Sequence, residues 1–315
     1  MDDAKYVWLN GRLVETAAAS VPFLSAGLHY GVAVFEGIRC YGTPSGPAIF
    51  RLRDHMDRLV ASARVVGFRD LPWDAEALSA AARELVIANA LPSCYIRPLI
   101  YLAEGGWNLN VDGGRPHAGI ALWKWEAYLG DDAREHGVRA NVSSYTRHHP
   151  NVTMTKAKIA GNYVNSVLAK TESVRLGFDE AIMLDPAGFV AECTGENLFI
   201  VRRGSICTPP PAPILEGITR DTVIELARDL GLTVVEAQVS RDQLYTADEV
   251  FVTGTAAEIT ALREIDFRPI GSGRTGPVTR QVQQAFHAIV EGRHPRSAAW
   301  LDRVDLGATA ATERA

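Results

Sequence analysis

Two lysines stand one residue apart in the segment Thr155-Lys-Ala-Lys-Ile-Ala-Gly-Asn-Tyr163, in a chain that carries 27 arginines and only five lysines. Arginine does most jobs that need only a positive charge, but it keeps its proton and forms no imine with an aldehyde. A lysine amine can do so once it is deprotonated. A lysine-poor sequence therefore offers few positions for covalent amine chemistry, and Lys156 and Lys158 are two of them. Arginine-biased composition with an exposed basic pair is the plain alternative.

Three other features point to a phosphate-bearing aldehyde as the partner of such an amine. In Leu215-Glu-Gly-Ile-Thr-Arg-Asp221 a glycine turn enters the amphipathic helix of Val223, Ile224, Ala227 and Leu230, with Thr219 expected as the N-cap. Backbone N–H groups and the dipole at such an entry bind anions, although an ordinary capped helix start has the same pattern. Thr253-Gly-Thr-Ala-Ala257 follows the strand from Glu249 to Thr253, and small residues there let backbone approach a ligand; a tight turn is the simpler reading. Glu192 lies 34 residues after Lys158 at the end of a core strand. A carboxylate there needs a partner, either a protonated ring nitrogen or an internal arginine.

The elements that must position these groups follow from pattern. Asn10-Gly11 joins the short runs Tyr6 to Leu9 and Arg12 to Val14 as a hairpin. A strand is expected over 47–53, and helices over 55–67 and 74–90. Strands over 94–102 and 118–125 flank the glycine-rich loop 105–114, of a kind that moves or binds something. A strand near 138–145, the lysine segment and a helix over 161–176 come next. The chain then alternates: strands 180–184, 189–193 and 197–202, helix 219–230, strand 232–239, helix 240–246, strand 248–253 and helix 277–291. This is α+β. The expected division is a small N-terminal domain over 1–127, a connecting loop over 128–136, a large domain over 137–304 and a disordered tail over 305–315.

Hydrophobic residues make up 47% and charged residues 22% of the chain, and the formal net charge is −5. That balance speaks against a nucleic-acid partner. An acidic N-terminus without a signal pattern, and no apolar run of bilayer length, speak against a membrane and lead us to expect a cytoplasmic protein. Cys40, Cys94, Cys193 and Cys207 are scattered, without metal-ligand spacing.

In order and spacing, Lys158 to Tyr163, Glu192 with Gly195-Glu-Asn-Leu-Phe199, Gly217-Ile-Thr-Arg-Asp221 and Gly254-Thr-Ala-Ala-Glu-Ile-Thr260 resemble the fold-type IV pyridoxal-phosphate enzymes. Leu28-His-Tyr-Gly31, Val34-Phe-Glu-Gly-Ile-Arg39, His55-Met-Asp-Arg-Leu59, Tyr95-Ile-Arg-Pro98 and Ala127-Tyr-Leu-Gly130 narrow this to a resemblance to the bacterial branched-chain amino acid aminotransferases, from about Tyr6 to Leu301. The resemblance implies a two-domain fold, with a smaller N-terminal α/β sandwich and a larger domain whose mixed strands form a pseudo-barrel with flanking helices.

It also implies roles. Lys158 would be the imine-forming lysine, three residues before Gly-Asn-Tyr, a register that Lys156 does not fit. Glu192 would hold the pyridoxal 5′-phosphate ring nitrogen, and Tyr163 the 3′-oxygen. Arg58, the backbone of Ile218 and Thr219, and Thr255 would hold the phosphate, with Gly195 also at the cofactor. An Arg58 pair with Asp54 at i, i+4 is the competing reading. Phe35, Trp125 and Tyr128 would line an apolar substrate pocket, joined by Tyr30 and Leu109 from a neighbouring subunit. Arg97 would take the γ-carboxylate of glutamate, and Tyr95 with the Thr255–Ala256 backbone the α-carboxylate. The implied activity is amino transfer between L-leucine, L-isoleucine or L-valine and 2-oxoglutarate, in a homodimer or hexamer. D-amino-acid or (R)-amine aminotransferase and 4-amino-4-deoxychorismate lyase share the fold, and the Tyr-x-Arg element favours L-specificity.

The sequence departs from the usual family pattern at Asn108 and Glu126, where glycine is common, and at Lys156. On a strand Lys156 and Lys158 would share a face, so that one cation could help deprotonate the other, although an exposed Lys156 is the plainer expectation.

Overall fold

The computed structural model describes residues 4–105, 107–124 and 133–306. The described residues form two compact units, one from Met1–Trp125, Ala157–Gly161 and Ala288–Ala315, the other from Glu126–Lys156 and Asn162–His287.

In the first unit Tyr6–Leu9 and Arg12–Glu15 pair antiparallel. Asn10 and Gly11 both take positive φ, 49° and 94°, as a two-residue hairpin turn that matches strand twist requires. The long strand Cys94–Glu104 lies between Arg115–Trp123 on one side and Ala33–Phe35 and Ile38–Thr43 on the other. The helices Leu52–Val66 and Ala75–Asn89 bring Leu52, Met56, Leu59, Ala63, Leu78 and Leu85 into one core with Ile96, Ile100 and Ile120 of the sheet. Truncating the fully buried Leu59 to alanine is expected to cost about 2–5 kcal/mol in chemical denaturation. The first helix starts at Leu52, and the strand before it stops at Phe50, because Leu52 already belongs to the buried stripe and Arg51 turns the chain with a φ of 49°.

The second unit holds a mixed sheet in the order Val190–Cys193, Glu180–Leu184, Val138–Val142, Glu258–Ile265, Glu249–Gly254, Asn197–Arg202, Ser205–Thr208 and Val234–Glu236. Val138–Val142 runs parallel to both of its neighbours. The helices Tyr163–Arg175, Ile218–Asp229 and Pro277–Val290 accompany the sheet in sequence, and the α+β class holds. Among the described residues no helix is long and apolar enough to cross a membrane.

The units do not follow the linear division expected from pattern. Ala157–Gly161 joins the first unit because Phe35 N donates to Lys158 O, Lys158 N to Ser62 Oγ and Gly161 N to Gly31 O. The end of the chain also returns to this unit, where Leu301–Arg303 pairs with Gly46–Phe50. Residues 128–132 and 307–315 lie outside the described residues.

Candidate active site

In the first unit the backbone of Lys158 is held from two sides. Its carbonyl accepts from Phe35 N at 3.1 Å, and its N–H donates to Ser62 Oγ at 3.0 Å. The side chain is half-buried, with Nζ 5.1 Å from the centre of the Phe35 ring. Lys156 and Lys158 sit in turn structure rather than on a strand, so the shared-face expectation fails.

Beside Phe35, the fully buried Glu36 binds two cations or potential cations. Its carboxylate accepts from Arg58 Nε at 2.6 Å, from Arg58 Nη2 at 2.9 Å and from His55 Nδ1 at 2.8 Å. Asp54 pairs with Arg51 at 2.7 Å, so the Arg58–Asp54 surface pair is replaced by a buried one with Glu36. Burial alone would raise the Glu36 carboxyl. The Arg58 and His55 charges and hydrogen bonds outweigh it and hold the group well below the usual carboxylate range. Burial, with the Arg58 and Lys158 charges, lowers His55 despite Glu36, so the ring is neutral at pH 7 and Arg58 is the lasting counter-charge.

Both shifts are depressions, so the unfolded state binds more protons and stability falls as the pH is lowered. The His55 contribution is lost from about pH 6.5 downward, and that of Glu36 below about 4.5. Thermal melts are expected to show the wild-type advantage over Glu36→Gln shrinking below pH 4.5. An advantage that stays constant down to pH 3 would contradict this account.

Arg97 projects from Cys94–Glu104 into an aromatic box. Its guanidinium carbon lies 4.8 Å from the Phe35 ring centre, 5.3 Å from that of Tyr95 and 5.7 Å from that of Trp123. Nη2 donates to Tyr95 Oη at 3.4 Å, Nε is buried without a hydrogen bond, and Arg97 forms no ion pair among the described residues. A β-carbon at Gly37 would stand 1.9 Å from Tyr95 Oη, so only glycine allows the tyrosine to lie there. A half-buried guanidinium walled by aromatic rings suits a carboxylate on a largely apolar substrate.

In the second unit Glu192 is the penultimate residue of the buried strand Val190–Cys193. Arg147 Nη2 lies 2.7 Å from one carboxylate oxygen, while Asn197 Nδ2 and Leu215 N donate to the other at 3.1 Å each. The internal arginine expected as one of two partners is therefore present, and it helps fix the Glu192 carboxylate in place. Asn197 Nδ2 also donates to Leu215 O at 2.9 Å. A β-carbon at Gly217 would meet Asn197 Oδ1 at 2.0 Å, so glycine is required where the chain enters Ile218–Asp229. Gly217 is the N-cap of this helix and Thr219 is its buried second residue, which corrects the expected Thr219 cap; the Gly217 φ and ψ of −68° and 133° already set the entry.

Asn197 pairs with Thr253 across the sheet, which brings the Gly195 turn and the Thr255–Ala256 turn to the same sheet end. A β-carbon at Gly254 would lie 3.3 Å from Gly195 O. Tyr163 begins Tyr163–Arg175 and is half-buried.

Tyr30 and Leu109 are 47% and 78% exposed in the first unit, among the exposed Phe23, Leu24, Leu28 and Trp107. Asn108 lies in the exposed loop, where its Oδ1 accepts from Asn110 N at 3.3 Å. Trp125, Glu126 and Tyr128 lie outside the described residues. Pattern reading assigned no role to Glu36, His55, Trp123, Arg147 or Asn197. Glu36, His55 and Asn197 stood inside quoted motifs, and a buried charge inside an apolar run was their available signal.

The family model for amino-transferase class IV matches residues 33–265. A branched-chain-amino-acid aminotransferase of Pseudomonas aeruginosa is 46% identical over 93% of this chain and 95% of its own length. The crystal structure of the Escherichia coli branched-chain amino acid aminotransferase superposes with a TM-score of 0.93 at 46% identity, covering 96% of this chain and all of that one. The branched-chain amino acid aminotransferase of T.th., complexed with N-(5′-phosphopyridoxyl)-L-glutamate, gives 0.90 at 47% identity, over 96% and 99%. The chain belongs to the class IV aminotransferase family, among its branched-chain-amino-acid aminotransferases, and has the two-domain fold-type IV architecture.

Proposed function

We propose that this protein is a pyridoxal 5′-phosphate-dependent aminotransferase that moves the amino group between L-leucine, L-isoleucine or L-valine and 2-oxoglutarate. The observation that carries the reading is Arg97: a half-buried guanidinium whose Nε is fully buried, with no acidic partner among the described residues, inside a box of aromatic rings. One such pocket serves both an aliphatic side chain and the distal carboxylate of glutamate. The names of the relatives and the phosphopyridoxyl-glutamate bound by one of them support the same assignment.

The residues present fit the cofactor. They include a half-buried primary amine, a buried carboxylate, a guanidinium held by a buried carboxylate, and a helix entry at which a side chain on Gly217 would collide with Asn197. When bound, the cofactor supplies an aldehyde for amino groups and a ring that accepts electrons as the substrate loses its α-proton.

Lys158 would hold the cofactor through its aldehyde, and its amine would carry the proton that leaves the substrate Cα. Glu192, fixed by Arg147 and Asn197, keeps the ring nitrogen protonated through a charge-assisted contact. Tyr163 donates to the 3′-oxygen. By the family resemblance Arg58, the Ile218 and Thr219 N–H groups and Thr255 would hold the phosphate, with the Gly195 backbone also at the cofactor. By the family resemblance Phe35 would line the pocket for the aliphatic side chain, together with Trp125 and Tyr128, which lie outside the described residues. Arg97 takes the γ-carboxylate of glutamate, and Tyr95 with the Thr255–Ala256 backbone takes the α-carboxylate.

Tyr30 and Leu109 serve a neighbouring subunit in a dimer or hexamer, a role supported by the exposed apolar group around them. The setting is cytoplasmic.

A donor panel with 2-oxoglutarate fixed tests the reading. L-leucine, L-isoleucine and L-valine are expected to exceed D-alanine and (R)-1-phenylethylamine by about a hundredfold or more in kcat/KM. Faster turnover of either of the last two would overturn it.

A further inference from the structure

The segment Pro209-Pro-Pro-Ala-Pro213 has four prolines, which have no N–H, and runs into Ile214-Leu215-Glu216 just before the Gly217 helix entry. Such a loop offers more carbonyl acceptors than it can satisfy with its own donors. External donors come from two consecutive residues of the lysine segment. Thr155 Oγ1 donates to Ala212 O at 3.1 Å, and Lys156 Nζ donates to Pro211 O and, at 3.1 Å, to Ile214 O. The Lys156 side chain offers several N–H donors and no acceptor, which suits neighbouring loop carbonyls with lone pairs to spare; Pro211 O also accepts from Ile214 N at 3.3 Å. Glu216 lies 3.5 Å away and 61% exposed, a pairing of little weight.

The Ile214 carbonyl and the Leu215 N–H belong to one peptide group. The first accepts from Lys156, and the second donates to Glu192 at 3.1 Å. A cation on the carbonyl of a peptide polarises it and strengthens its N–H as a donor. Lys156 therefore reaches Glu192 through a single peptide. We propose that Lys156 is a positioning residue for the ring nitrogen of the cofactor, acting through the Ile214–Leu215 peptide to hold and orient the Glu192 carboxylate. This rests on the reading that Glu192 faces that nitrogen.

The test measures dissociation constants of the apoprotein for pyridoxal 5′-phosphate and for its deaza analogue, in which the ring nitrogen is replaced by C–H. Wild type is expected to prefer the natural cofactor by about tenfold or more. Lys156→Met should reduce that preference about fivefold, and Lys156→Arg, which keeps a cationic donor, should keep it within about twofold of wild type. If Lys156→Met does not fold, Lys156→Gln, which keeps a donor without the charge, carries the same comparison. A Lys156→Met protein that weakens both ligands equally merely loosens the loop, and an unchanged preference gives Lys156 no part in ring binding; either result overturns the proposal while leaving the Glu192 reading intact. Equal binding of the two ligands by wild type would overturn the Glu192 reading, and the Lys156 proposal with it.

Discussion

Lys158→Ala is expected to lower amino transfer by about 10⁴-fold or more, because one side chain both attaches the cofactor and carries the Cα proton. Neither Lys156 nor Lys170 is placed to replace it. Lys156 Nζ is engaged by loop carbonyls, and Lys170 donates to Asp179 O at 2.6 Å and pairs with the buried Glu180. Lys158 differs from both in being locked by backbone bonds to Phe35 and Ser62, with its amine over an aromatic ring. The choice between the two neighbouring lysines can be read directly. Borohydride reduction of the loaded protein followed by peptide mass spectrometry is expected to find the phosphopyridoxyl group on Lys158, both in wild type and in Lys156→Ala. A label on Lys156, or full activity in Lys158→Ala, would contradict the assignment.

The second large effect is a split between substrates. Arg97→Ala should lower kcat/KM for L-glutamate by about two orders of magnitude, since removing one partner of a desolvated charge pair costs roughly 2–5 kcal/mol and each 1.4 kcal/mol is tenfold. For L-leucine the loss should stay within about fivefold, because the aromatic rings around Arg97, Phe35 among them, remain. Arg97→Lys should recover little of the glutamate rate, because a point charge does not reproduce the planar fork. Equal losses for the two donors would mean that Arg97 supports the pocket rather than recognising the γ-carboxylate.

Much of this architecture was legible before any coordinates. The hairpin at Asn10-Gly11 was readable because φ > 0 at both positions leaves few residue choices. The Gly217 helix entry was readable from its glycine and the amphipathic run after it, and the order of motifs along the chain singled out Lys158 and Glu192 as candidates. What stayed hidden depends on contacts far apart in sequence. The Glu36 cluster joins a strand-end residue to a helix 19 and 22 positions later, and no local period reports it. Arg147 meets Glu192 across 45 positions, with only a basic run to mark it. Thr219 satisfied the composition rule for a cap, yet the close approach of Asn197 to Gly217 sets the helix start two residues earlier. The conformation of the lysine segment was not legible, because proline-loop carbonyls hold Lys156 and the Phe35 strand holds Lys158 more than local propensity does.

The central claim is that this chain transfers the amino group of an L-branched-chain amino acid to 2-oxoglutarate. It is tested most directly by incubating the pyridoxal 5′-phosphate-loaded protein with ¹⁵N-L-leucine and 2-oxoglutarate and following the label by mass spectrometry. The account predicts ¹⁵N-L-glutamate and 4-methyl-2-oxopentanoate in equal amounts, with no transfer from D-leucine. Unlabelled glutamate, no glutamate at any pH between 6 and 9, or transfer from the D-enantiomer alone would contradict it.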